Sequence, residues 1–99
     1  MAKRKLDPIP PGEILLEDFM KPLDISINAL ARAIDVPPNR VSAIVNAKRS
    51  ITADTALRLG KFFKVSPEVW LGLQTVYDLR VAQRDIWPEI ENRIHARAA

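Results

Sequence analysis

The stretch Ile27 to Asn46, INALARAIDVPPNRVSAIVN, constrains the fold more than any other part of this chain. Leu30, Ala31 and Ile34 recur at the spacing that gathers side chains on one face of a helix. Val41, Ile44 and Val45 do the same a short step later. Between the two runs stands Asp35-Val36-Pro37, room enough only for a tight turn. Ser26 is a good N-cap for the first helix, roughly Ile27 to Ile34. Pro37 and Pro38 both suit the start of the second, where backbone N–H groups lack partners anyway. The small Ala31 lets the two helices cross closely, and Val36 plugs the turn. Asp35 stands where a left-handed residue is needed. Gly is cheapest there, but Asp tolerates that conformation better than most residues.

Two short helices joined in this way form the apolar skeleton of a helix-turn-helix, whose second helix can enter the major groove of DNA. A plain αα-hairpin, made only for packing, shares the same skeleton. Charge favours the first reading. Six basic residues, Arg40, Lys48, Arg49, Arg58, Lys61 and Lys64, lie between Val36 and Lys64, against the single acid Asp54. That segment carries +5 of a chain whose net charge is +3, so the remainder is slightly acidic. A basic region centred on the second helix is the footprint that a phosphate backbone attracts.

The rest of the chain reads as further helices. Residues 1–9 are expected to be a mobile basic arm. Helix one spans roughly Gly12 to Met20, with Leu15 and Phe19 facing the core, and Pro22 ends it. The third helix runs to about Asn46. Ala47-Lys48-Arg49-Ser50 is a basic loop, and Thr52 caps a fourth helix, Ala53 to Phe63, with Ala56, Leu57, Leu59 and Phe63 as its apolar positions. Ser66-Pro67-Glu68 starts a fifth, to about Ala82: a hydroxyl cap, Pro in the first turn and an acid at the positive end of the dipole. No segment alternates long enough for a strand. The expectation is therefore an all-α chain: a five-helix helix-turn-helix domain over residues 10–82, followed by a C-terminal tail or short helix over 83–99.

Composition excludes several classes. Ninety-nine residues make one domain. With no cysteine there is no disulfide and no thiolate metal site. The first residues lack the apolar core of a signal peptide, and no apolar run approaches the roughly 20 residues that span a bilayer. A cytoplasmic protein, nucleoid-associated when DNA-bound, is expected. The one histidine, His95, sits near the C-terminus in a segment expected to fray. No HExxH motif, phosphate loop or Ser-His-Asp set is present. Glu17 and Asp18 are simplest as a solvated pair. No enzyme, metal or cofactor is expected.

DNA chemistry has candidates at the right places. Residues near the start of the second helix of a docked helix-turn-helix face base edges. Here these are Pro38, Asn39, Arg40, Ser42 and Ala43. Arg40 has the fork for guanine, Asn39 the amide for adenine, and Ala43 a methyl for thymine. Ser26, Asn46, Lys48 and Arg49 are better placed for phosphates, which position a protein without reading sequence. A two-fold pairing of chains would set two recognition helices about 34 Å apart, one turn of DNA. Trp70, Leu73, Val76, Tyr77 and Leu79, then Ile86, Trp87, Ile90 and Ile94, carry more apolar surface than one small core needs. The fifth helix and the tail are therefore the expected homodimer interface.

The segments PPGEILLEDFMKPLDIS and ALARAIDVPPNRVSAIVNAKRSITADTALRLGKFFKVSPEVWLGLQTVYDL together resemble the HigA-type antitoxins of bacterial toxin–antitoxin operons, within the phage-repressor-like helix-turn-helix group. The match runs from about Pro10 to Leu79, and VPPNRVSAIVNAKRSITADTALRL followed by SPEVWLGLQ is its most specific part. Asp35, and Ala47 after the third helix, depart from the usual glycines in turns only. The resemblance implies a homodimer that binds a palindromic operator in its own promoter. It also implies a toxin partner, an mRNA-cleaving ribonuclease of the RelE-like class, which no residue here reveals by itself. Two rivals stand beside this reading: a free-standing regulator with the same DNA mechanism, and a purely protein-binding helical module.

Overall fold

In the computed structural model, which describes residues 7–98, all regular elements among those residues are helical. Helix α1 (Pro11–Ile14) runs directly into a π-helical segment, Leu15–Met20. Then follow α2 (Ile27–Ile34), α3 (Pro38–Val45), α4 (Ala53–Phe63), α5 (Pro67–Asp85) and α6 (Trp87–Ile90), with a final 3₁₀ turn, Glu91–Arg93. Residues 1–6 of the expected N-terminal arm lie outside the described residues. Asp7, just inside them, approaches Arg84 at 3.9 Å.

The capping chemistry sets the element boundaries. The Ser26 hydroxyl accepts from Ala29 N–H at 3.0 Å, Thr52 accepts from Thr55 N–H, and Ser66 accepts from Glu68 N–H at 3.1 Å. Ser66 Oγ also donates to Glu68 Oε1, and this bond holds the Glu68 carboxyl below its usual range. At the other ends the chain reverses through four non-glycine residues in the left-handed region, Asp24, Asp35, Ala47 and Lys64. Each is followed by a residue whose N–H reaches back five positions. Val36 N–H bonds Ala31 C=O, Lys48 N–H bonds Ala43 C=O, and Val65 N–H bonds Gly60 C=O. These are Schellman closures, and they satisfy carbonyls that the helices leave orphaned.

Two elements differ from the sequence expectation. The first helix widens after Ile14, and Lys21 N–H bonds Leu16 C=O, five residues back. A π turn brings residues five apart onto one face. Leu15 and Met20 therefore become fully buried, while Phe19 is only half-buried. The fifth helix continues three residues past Ala82, so the boundary drawn at 82/83 falls inside α5.

The core gathers Leu15, Met20, Leu30, Ala31, Ile34, Val41, Ile44, Ile51, Ala56, Leu59 and Trp70. Its aromatic centre is Trp70, with the Phe19 and Phe63 rings at 4.8 and 6.0 Å. Trp70 is 0% exposed and Leu73 packs against this core. The spacing on α5 places both in a dimer interface; they belong instead to the inward face of their own chain. Leu57, expected inside, is exposed. Gly12 lies against the end of α3, where a Cβ would penetrate the Ile44 carbonyl, so only glycine lets α1 brace α3 this closely.

Candidate nucleic-acid interface

Helix α3 packs on α2 and α1 through Val41 and Ile44, which are fully buried. At about 100° per residue, Pro38, Asn39, Ser42 and Asn46 then fall within one stripe on the outer side. Pro38, Asn39 and Asn46 are exposed and Ser42 is half-exposed. Ser26, Ile27 and Asn28, at the start of α2, border a shallow groove with Pro38, Asn39 and Ser42. The two helix N-termini thus open on the same side. The first-turn N–H groups of α2 have no intrahelical acceptor, which suits an anion. The sequence reading sets Asn46 among the phosphate ligands, but its position continues the stripe of Asn39 and Ser42. Ala43 sits at the edge of that stripe, half-buried.

Arg40 departs from its expected place. It falls about 160° around the helix from Ser42, on the side facing α4. Its Nη1 donates to Asp54 Oδ2 at 2.7 Å. Arg58 Nε donates to the same oxygen at 3.0 Å. Arg58 Nη1 in turn donates to Ile34 C=O and Asp35 C=O, each at 2.9 Å, capping the end of α2. Bonds first from Arg40 and then from Arg58 hold the Asp54 carboxyl below its ordinary range. Arg40 is thus a tie between α3 and α4, and it does not share the face of Asn39.

The basic loop 47–50 leaves α3 through left-handed Ala47 and presents Lys48 and Arg49 to solvent. Its far end is pinned by Gln74, which composition does not single out. Gln74 is 8% exposed, accepts from Ile51 N–H at 2.8 Å and donates to Asp78 Oδ1 at 2.9 Å. The signal is present in the sequence: a lone amide on the inward face of α5, which burial permits only when both its ends are bonded.

On α5, Val69, Val76 and Leu79 are exposed, and so are Ile86 and Trp87 just beyond it. Leu79, Ala82, Gln83, Ile86, Trp87 and Ile90 line an open groove of about 500 Å³. Tyr77 is half-buried and turned toward a small cleft shared with Pro10 and Gly12. Of the expected interface residues, Leu79, Ile86, Trp87 and Ile90 line the open groove, and Val76 is exposed outside it. No helix of the described residues is long and apolar enough to cross a membrane.

This arrangement recurs in known proteins. A helix-turn-helix family model, HTH_3, matches residues 16–70. The chain is similar to an addiction module antidote protein of the HigA family from Coxiella burnetii, at 49% identity and a TM-score of 0.86, covering 91% of this chain and 98% of that one. It is similar to the Pseudomonas aeruginosa antitoxin HigA solved with the higBA promoter, at 43% identity and a TM-score of 0.88, over 92% and 99% of the two chains. Virulence-associated protein I of Dichelobacter nodosus is 48% identical over 84 residues, 85% of this chain and 78% of that protein. The chain belongs to the helix-turn-helix family, in its HigA-type antitoxin group, a family of DNA-binding proteins and not of enzymes.

Proposed function

We propose that this protein is a cytoplasmic antitoxin that dimerises on an operator in its own promoter and represses the operon that encodes it and a toxin. The observation that carries the DNA-binding part is the outward stripe of Pro38, Asn39 and Ser42 on a helix fixed by Val41 and Ile44, flanked by Lys48 and Arg49. The similarity to a HigA solved with promoter DNA supports the same docking. Asn39 has the amide geometry to read adenine N6 and N7, Ser42 reads either partner, and Ala43 contacts a thymine methyl. Asn39→Ala should weaken binding to the protein's own promoter fragment by roughly 1–3 kcal/mol and relax preference at one base pair. A folded variant with unchanged operator affinity would remove Asn39 from the base contacts.

Lys48 and Arg49 act on the backbone. Replacing either by Ala should weaken promoter and unrelated duplexes alike, and lower the salt slope by about 0.9 for each phosphate no longer neutralised. Titrations at several KCl concentrations measure this directly. A loss confined to the promoter fragment would make them base readers.

The toxin half of the proposal rests on family membership. It assigns as partner an mRNA-cleaving ribonuclease of the RelE-like class. The test is growth: inducing the small reading frame next to this gene should arrest cells, and co-expressing this chain should restore them. A neighbour harmless on its own would leave a free-standing regulator with the same DNA mechanism. The dimer is supported by the open apolar groove at the end of α5, where Leu79, Ile86 and Trp87 stay exposed in the single chain.

A further inference from the structure

We infer that Asp54 is a positioning residue for DNA binding: it holds the Arg40 guanidinium at the α4 edge of the recognition helix, where the remaining N–H donors meet a backbone phosphate. The inference rests on the DNA-binding reading above and goes beyond it in assigning both residues.

The geometry carries the argument. Arg40 uses Nη1 for Asp54, and among the described residues its guanidinium bonds no other acceptor. A guanidinium has five N–H donors, so most remain available to a ligand. The side chain is only 23% exposed, laid along the protein surface, so it does not sweep through solvent. It points toward the first turn of α4, the element that follows the loop bearing Lys48 and Arg49.

Asp54 needs an explanation of its own. A carboxylate beside a DNA-facing loop repels phosphates. Exposed ion pairs also add little to stability. Arg58 alone already satisfies Asp54 Oδ2 and anchors α4 to the last carbonyls of α2. The second guanidinium is therefore not required to neutralise the carboxylate. What the Arg40 bond adds is direction, since a carboxylate fixed on one helix orients a fork projecting from the next. The three groups together remain net positive, as a phosphate requires.

Simple electrostatics and positioning predict opposite signs, which makes the proposal testable. The full-length protein would be titrated by fluorescence anisotropy against its promoter fragment and an unrelated duplex of equal length, at several KCl concentrations. Asp54→Asn makes the protein more positive, yet positioning predicts about tenfold weaker binding to both duplexes and a salt slope smaller by about 0.9, the value for one phosphate. Arg40→Ala should give the same loss, and combining the two should add nothing, because both remove one interaction. Asp54→Glu should recover most of the affinity. Arg40→Gln leaves the Asp54–Arg58 pair and α4 intact, so it decides the matter if Asp54→Asn fails to fold. Tighter binding by Asp54→Asn, additive losses, or wild-type binding by Arg40→Gln would each overturn the proposal. If the wild type binds neither duplex, the DNA-binding reading falls and takes this one with it. If the wild type binds and these variants do not differ from it, only the positioning role falls.

Discussion

Trp70→Ala is expected to destabilise the fold by about 3–5 kcal/mol. Trp70 is 0% exposed and packs against both the Phe19 and Phe63 rings, which also touch each other at 5.2 Å, so truncation leaves a cavity beside that pair. Domains of this size are stable by only about 5–15 kcal/mol. Urea unfolding followed by circular dichroism should show a large fall in midpoint at constant slope. Trp70→Phe is expected to cost much less. The indole Nε1 is buried with no partner among the described residues, and a desolvated, unbonded donor costs about 1–3 kcal/mol. Phenylalanine keeps much of the ring stack and removes that donor. Equal losses for the two variants would show that ring volume alone matters. Because Trp70 faces inward, Trp70→Phe should also sediment as the wild type does.

The placement of Trp70 shows what a sequence pattern leaves open. Helix boundaries are legible because they are local: Ser26, Thr52 and Ser66 are caps by virtue of their own hydroxyls, and they start α2, α4 and α5 where expected. Asp35 is legible for the same reason and takes the left-handed conformation, φ 60°. Which side of α5 faces inward is not local. Its apolar residues surround the helix; Trp70 and Leu73 pack into the core while Val69, Val76 and Leu79 stay exposed. Only the position of the Phe19–Phe63 pair decides between them. The π segment escapes because a helical period assumes four-residue bonds, whereas Leu15 and Met20 are buried five apart.

The candidate site divides in the same way. Asn39, Ser42 and Ala43 follow from the inward pointing of Val41 and Ile44, a periodicity argument internal to one helix. Arg40 does not, because its direction depends on Asp54, fourteen residues away on another helix. Gln74 holds the basic loop through Ile51 across a still longer separation. Side chains that link elements are those that a single-helix pattern cannot orient.

Deleting the chain after Asp85 is expected to convert the protein to a monomer and to lower operator affinity by about 10²–10⁴-fold, the range by which linking two sites exceeds one. The cut follows the last residue of α5, so every core residue and the helix itself remain. It removes Ile86, Trp87 and Ile90, one wall of the open apolar groove, and leaves Leu79 and Ala82 without them. A duplex carrying one half-site should bind the truncated and full-length chains with similar affinity. That separates loss of pairing from damage to the recognition helix. Ile86→Glu provides the same test without shortening the chain. Ile86 is 56% exposed, so a carboxylate there costs an isolated chain little, whereas a buried unpaired charge at an interface is strongly unfavourable. Sedimentation of the full-length protein as a monomer at tens of micromolar, or a dimer that survives both changes, would move the interface elsewhere. The spacing of the two recognition helices would then have to come from DNA-bound contacts between domains, because a monomer places only one α3 in the groove.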